Sequence, residues 1–390
     1  MDFVNVLIVP NPFKNALSAE AAGKAMKEGI IAYDPNAEVE MIPMADGGDG
    51  SLKLLIEPLG ADLMSSVVLD PIGRKIHAQW GFNLETRTAI IELAEASGTR
   101  LLKSNELDPF KAHTFGTGEL INEALAKGAQ TIYLTVGGSA TLDGGFGILK
   151  ALGTDFLDKS GHAVAVRQLA DLSLVAALNF DRLRRNLNQV NIEVLVDVEN
   201  TLCGNEGAVR IYGPQKGVQP HQIQVFEDII QHWGNLLSAA SNQNIFGLVG
   251  GGASGGVPAA MAACHTQVTL HMGALFLINL LKIPEKILDV NFILTCEGKI
   301  DNQTSYGKGP GVIAKLAHDQ KVACIGLCGQ LGADYDAKTS FFHAVFPINK
   351  RLLSPALAME RTASNLRYLA GQIYALMLLK PPEVADEGIT

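Results

Sequence analysis

Several things are scarce in this 390-residue chain, and each scarcity excludes something. Basic charge is short: 31 Lys and Arg stand against 40 Asp and Glu, a net charge of −9. No positive field draws nucleic acid or an anionic membrane, so neither is an expected partner. The longest apolar stretch, 273–283, falls short of the roughly 20 residues that span a bilayer. Met1-Asp2-Phe3-Val4-Asn5 lacks a basic n-region, so no signal peptide is expected and the expected location is cytoplasmic. The five cysteines are odd in number and no pair has CxxC spacing, which reads as reduced, mostly buried thiols. Among the histidines, His265 and His271 do not share a helix face, and zinc is set aside. There is no GxxxxGK[ST], no strand followed by GxGxxG, and no HRD or DFG set, so the chain is no protein kinase. No repeat, low-complexity tract or coiled coil is present.

What is abundant is apolar residues, 47% of the chain, and glycine, 40 residues gathered in short runs beside Asp, Ser and Thr. The length suits two domains of about 100–200 residues each. Residues 4–9 form a continuous apolar run, the mark of a strand buried on both faces. Ser18 opens an Ala-rich helical pattern to Tyr33, and 38–43 reads as the next strand. Strand–loop–helix alternation is the grammar of a parallel sheet. From 65 to 93 three short strands joined by turns predict antiparallel pairing. Helix 117–127, strand 131–136, strand 193–198 and a long helix over 220–241 follow. Strands at 292–295, 322–327 and 344–347 and a closing helix over 362–379 complete the pattern. The fold class is therefore α/β with two α/β domains. Residues 1–60 and 286–390 make one parallel-sheet domain, and 61–285 is a mixed-sheet domain inserted into it. The cleft between them is the expected site.

In a parallel sheet, ligands bind at the carboxyl ends of the strands. The loops there share one character: 11–14 with Lys14, the run Asp46-Gly47-Gly48-Asp49-Gly50-Ser51, 137–145, 250–256, and 297–304. Glycine lets backbone N–H groups converge on a phosphate, and a following helix adds its positive N-terminus. Aspartate supplies oxygen to Mg²⁺. Any one such loop is more often a tight turn or a helix cap than a ligand site; five of them, mostly after strands, point to an anion site. Lys14, Lys216 and Lys308 lie among glycines, where backbone donors can stand beside the charge, although a solvated surface lysine is the ordinary alternative. The acidic candidates are Asp46, Asp49, Asp143, Asp197, Glu297 and Asp301. Asp197 ends the apolar strand Val194-Leu195-Val196, where an unpaired carboxylate is costly. Asp143 reads equally as a turn residue.

Taken in order, these segments resemble the bacterial glycerate kinase family. They are Phe13-Lys14 with Leu17-Ser18-Ala19, Ala45 through Gly50, Gly116-Thr117-Gly118-Glu119-Leu120-Ile121, and Gly137-Gly138-Ser139-Ala140-Thr141 with Asp143-Gly144-Gly145. Asp197-Val198, Gly213-Pro214-Gln215-Lys216-Gly217, Gly251-Gly252-Ala253-Ser254-Gly255-Gly256, and Glu297 through Lys308 follow. The resemblance covers nearly the whole chain. It implies an ATP- and Mg²⁺-dependent kinase that phosphorylates D-glycerate to 2-phosphoglycerate, with a flavodoxin-like domain among its two. On that resemblance Asp197, Asp301, Lys14 and Lys216 are catalytic, with Asp197 or Asp301 taking the hydroxyl proton or holding Mg²⁺. Asp46, Gly47, Gly48, Gly138, Ser139, Thr141, Gly252, Ser254, Gly255, Glu297 and Lys308 bind substrate or phosphate. D-Glycerate and ATP are the implied partners, and a homodimer is left open. Two departures stand out: Asn11-Pro12 where the family has Asp-Ser, and Leu142 where it has Asn. They leave open a related hydroxy acid or the 3-hydroxyl as acceptor. A nucleotide-independent phosphosugar enzyme and a solute-binding protein are the readings from other classes.

Overall fold

The computed structural model describes residues 4–13, 16–45, 48, 50–305 and 309–379. No helix among them is long and apolar enough to cross a membrane. The chain divides into two compact units, 1–44 with 278–390, and 45–277. The thirteen strands of the described residues are β1 (Asn5–Pro10), β2 (Glu38–Met41), β3 (Asp62–Leu69), β4 (Lys75–Asn83), β5 (Thr88–Glu92), β6 (Thr131–Thr135), β7 (Asp155–Leu157), β8 (Ala177–Asn179), β9 (Asn191–Val196), β10 (Val268–Met272), β11 (Phe292–Ile300), β12 (Ala323–Leu331) and β13 (Ala344–Pro347).

The first unit holds one five-stranded sheet, β13-β12-β11-β1-β2, parallel throughout. Counted along the unit, that is the 2-1-3-4-5 order of flavodoxin-like sheets, with the switch point between β1 and β11. Helix Ala19–Tyr33 begins where Ser18 Oγ accepts the Ala21 N–H at 3.2 Å, a standard N-cap. Its buried face, with Met26 and Ile30, joins Ile8, Phe292, Leu294 and Tyr374 in one core. β11 runs five residues further than its apolar segment suggests. Glu297, Lys299 and Ile300 pair with Cys328, Gln330 and Leu331 of β12. The neighbouring strand supplies a hydrogen-bond ladder that outweighs the weak strand preference of Glu-Gly-Lys. So the expected loop 297–304 begins only at Asp301.

The second unit holds a six-stranded sheet, β10-β9-β6-β5-β4-β3. β3, β4 and β5 pair antiparallel, while β5, β6, β9 and β10 run parallel. Trp80, Phe146, Phe226 and Trp233 are fully buried in its core. Residues 45–60, expected with the first domain, go with this unit, and the boundary expected at 285 falls at 277. The cause at the first boundary is Glu92, at the end of β5. Its carboxylate accepts the Gly50 N–H at 3.1 Å and the Leu52 N–H at 3.0 Å, fixing helix Ser51–Ile56 to the second sheet.

Within the first unit, helices Ala19–Tyr33 and Thr362–Met377 meet backbone to backbone at Gly29. A Cβ there would stand 1.9 Å from the Arg367 carbonyl oxygen. Gly29→Ala must push the helices apart, and should lower unfolding stability by about 1–3 kcal/mol. The shift in denaturant midpoint measures it, and an unchanged midpoint refutes this packing.

Candidate active site

The second unit gathers most of the expected loops at the carboxyl ends of β5, β6 and β9. Loop 137–145 leaves β6 and passes so near the 45–51 loop that a Cβ on Gly137 would lie 2.2 Å from Gly48 Cα. Only glycine allows that approach. Gly138 is the solvent-facing member of the loop, while Ser139 and Thr141 are buried. The loop then turns into helix Phe146–Leu152, and Asp143 makes the turn. Its buried carboxylate accepts four donors: Thr114 N–H and Thr114 Oγ1 at 2.8 Å, Gly145 N–H at 3.0 Å and Gly147 N–H at 3.1 Å. Asp143 is thus a structural anchor, in line with its turn reading.

Lys216 is the centre of this assembly. It is 3% exposed, and its ammonium donates to Ser139 Oγ at 2.6 Å and to the Thr141 carbonyl at 2.8 Å. Burial pushes its pKa down to about 7, and the charges of Asp143 and Asp197 oppose that fall. Asp197 follows β9 and is half-buried. Burial and the Asp197 charge together push the Tyr212 hydroxyl up to about 12. Tyr212 donates to Asn200 Oδ1 at 2.5 Å, in the loop that follows Asp197. The Thr141 hydroxyl is buried and has no hydrogen-bond partner among the described residues. Lys216, Ser139, Thr141 and Asp197, the outermost of them 77 positions apart in sequence, therefore share one locale.

The glycine-rich loop 250–256 is extensively paired within the protein. It is buried throughout. The N–H groups of Gly250, Gly251, Gly252, Ala253 and Gly256 all donate to protein carbonyls, Gly252 to Asn200 at 2.9 Å. Ser254 holds a left-handed φ of 47°, and its hydroxyl donates to the Val136 carbonyl. The Gly255 carbonyl accepts from Gly144 N–H at 2.9 Å. Through these bonds Gly252, Ser254 and Gly255 pack against the end of β6, loop 137–145 and the Asp197 loop, and five of the loop's amides are paired within the protein. Such dense internal pairing is invisible in a run of glycines.

Sequence reasoning missed Glu92. It is 1% exposed, and besides capping Gly50 and Leu52 it lies 3.7 Å from the Arg100 guanidinium. The signal was present, a lone acid ending an apolar strand, the same feature that singled out Asp197. In the first unit, the ends of β1 and β11 bring Asn11, Glu297 and Asp301 to the switch point. Asn11 N–H donates to the Cys296 carbonyl at 3.0 Å. Thr304 Oγ1 donates to Glu297 Oε2 at 3.1 Å, and Asp301 Oδ2 pairs with Lys299 at 2.8 Å. Lys14, Asp46, Gly47 and Lys308 lie outside the described residues.

Known proteins match this chain along nearly its whole length. A model of the glycerate kinase family matches residues 6–378. The chain belongs to the glycerate kinase family. A glycerate kinase of Halalkalibacterium halodurans is 33% identical over 371 residues, 94% of this chain and 97% of its own. A glycerate 2-kinase of Escherichia coli K12 is 34% identical over 331 residues, covering 85% of this chain and 86% of its own. A crystal structure from Salmonella typhimurium LT2, of a protein assigned as glycerate kinase 2, superposes with a TM-score of 0.79 at 32% identity, covering 96% of this chain and 98% of that one. The family is one of kinases, which implies a nucleotide substrate.

The two departures from the family pattern now have structural settings. Leu142 is fully buried among the core side chains of the second unit, so its apolar side chain serves packing. Asn11 is buried against Gly309, the first residue of helix Gly309–Asp319. Among the new features, Glu92 gives the sharpest test. Glu92→Ala leaves the Gly50 and Leu52 amides without their acceptor. It should cost about 1–3 kcal/mol in unfolding free energy and lower turnover, because the 45–51 loop loses its anchor. Full stability and full activity in that variant would remove Glu92 from the account.

Proposed function

We propose that this chain transfers the γ-phosphoryl group of ATP to the 2-hydroxyl of D-glycerate, giving 2-phosphoglycerate and ADP. The observation that carries the reading is Lys216, a buried ammonium presented among Gly138, Ser139 and Thr141 and flanked by Asp197. The name of the Escherichia coli relative, glycerate 2-kinase, favours the 2-hydroxyl. Phosphoryl transfer demands positioning and charge neutralisation more than covalent chemistry. Lys216 supplies positive charge to the γ-phosphate or the substrate carboxylate. Asp197, whose charge reaches Lys216, accepts the proton of the glycerate hydroxyl as its oxygen attacks phosphorus. Ser139 and the orphaned Thr141 hydroxyl hold the anion beside the amine.

Magnesium carried on nucleotide phosphates needs one or two carboxylates rather than a cage. That suits a chain in which, among the described residues, no three His, Cys, Asp or Glu are grouped to hold a metal. Asp197 or Asp301 would offer a carboxylate to such an ion, which when bound would offset phosphate charge. Glu297 and Asp301 stand at the switch point of the first unit, where a parallel sheet presents its ligands.

One assay tests the reading: ADP release from Mg-ATP with D-glycerate, with the product isomer identified by phosphorus NMR. The expected product is 2-phosphoglycerate, and no glycerate-dependent ADP would defeat the proposal. Asp197→Asn should lower kcat by about 10²–10⁴-fold, the range for loss of a general base, with thermal stability close to wild type. Near-normal turnover would take Asp197 out of the mechanism.

A further inference from the structure

We propose that a basic cavity beside β13 in the first unit binds an organic phosphate carrying at least two anionic groups. The cavity has a volume of about 470 Å³ and is lined by Lys350, Arg351, Leu353, Arg361, Ser364 and Asn365. It lies just past the carboxyl end of β13, the side of a parallel sheet on which ligands bind. Three of its six lining residues are cations and none is an acid. In a chain of net charge −9 that is a marked local reversal.

The ordinary explanation for such residues is that each reaches a carboxylate nearby. Here none does: no ion pair of the described residues includes Lys350, Arg351 or Arg361. Lys350 instead sits over the Tyr368 ring, 3.2 Å from its centroid. Like charges lining one cavity repel, and an anion bound among them relieves the repulsion. Arginine's planar fork suits phosphate and carboxylate oxygens.

The wall of the cavity is built in advance. Asn349 donates to the Gly329 carbonyl at 3.0 Å and accepts from Asn365 at 3.3 Å. Ile348 N–H donates to the Cys328 carbonyl at 2.8 Å. These bonds tie the segment after β13 both to β12 and to the first turn of helix Thr362–Met377. Ser364 and Asn365 lie in that first turn, at the positive end of a 16-residue helix. The volume exceeds what one inorganic phosphate fills, and Leu353 offers an apolar contact for a carbon skeleton. Two ligands of the kinase reaction have this chemistry: the nucleotide and the phosphorylated acid.

The inference rests on the kinase reading only for those two candidate ligands, and Lys216 plays no part in it. Calorimetric titration of the full chain at low ionic strength tests it, with ADP and 2-phosphoglycerate as probes. Arg351→Ala combined with Arg361→Ala should weaken binding of one of them at least tenfold and flatten its salt dependence. Loss with ADP alone identifies nucleotide phosphates, and loss with 2-phosphoglycerate alone identifies the phosphorylated acid. Ligand-free thermal unfolding guards against misfolding, and the double variant should match wild type or exceed it. If it does not fold, Arg351→Gln alone should still weaken binding severalfold. Unchanged affinity for both probes overturns the proposal, and Lys216→Met, which should abolish turnover while sparing this site, tells that failure from failure of the catalytic reading.

Discussion

The second unit is organised around one constraint, a lysine amine buried almost completely away from water. A buried ammonium is tolerated only with partners, and Lys216 finds them in Ser139 Oγ and the Thr141 carbonyl. Those partners have to be held in turn. Asp143 fastens the end of their loop through four donors, and loop 250–256 supports it from behind. Glu92 fastens the neighbouring 45–51 loop, whose Gly48 touches Gly137. The cost of burying Lys216 leaves its amine balanced near neutrality with a pKa of about 7. An amine so poised responds strongly to an arriving anion.

Both sheets use the same logic to present chemistry. Parallel strands aim their carboxyl ends one way, and the loops there are free to carry function on a rigid support. In the second unit the glycines divide the work. Gly138 faces solvent, whereas 250–256 is buried and largely paired within the protein. In the first unit the flavodoxin-like order brings Asn11, Glu297 and Asp301 to the switch point, and the cationic cavity lies two strands away beside β13.

Much of this was legible in the sequence. Ser18 announced its helix, the run 344–347 matched β13, and the ordered motifs named the family. What stayed hidden depends on neighbours. β11 extends to Ile300 because β12 offers a partner, which no local propensity contains. The three-residue strands β7 and β8 are too short for periodicity to register. Residues 45–60 changed unit because of a carboxylate some 40 residues later. Asp143 and Asp197 looked alike as loop acids. The structure shows the first to be fully buried and held by four protein donors, while the second is half-buried at a strand end.

The central claim is that Lys216 meets the charge of a bound substrate, and proton linkage tests it most directly. At pH 8 an amine with a pKa near 7 is mostly neutral in the free protein. An anion placed against it favours the charged form, so binding must draw a proton from solvent. Calorimetry of Mg-ATP and of D-glycerate binding, repeated in two buffers of different ionisation enthalpy, counts that proton. The account predicts uptake approaching one proton with one of the two ligands, lost in Lys216→Met. Binding of both ligands with no buffer-dependent heat in the wild type would contradict it.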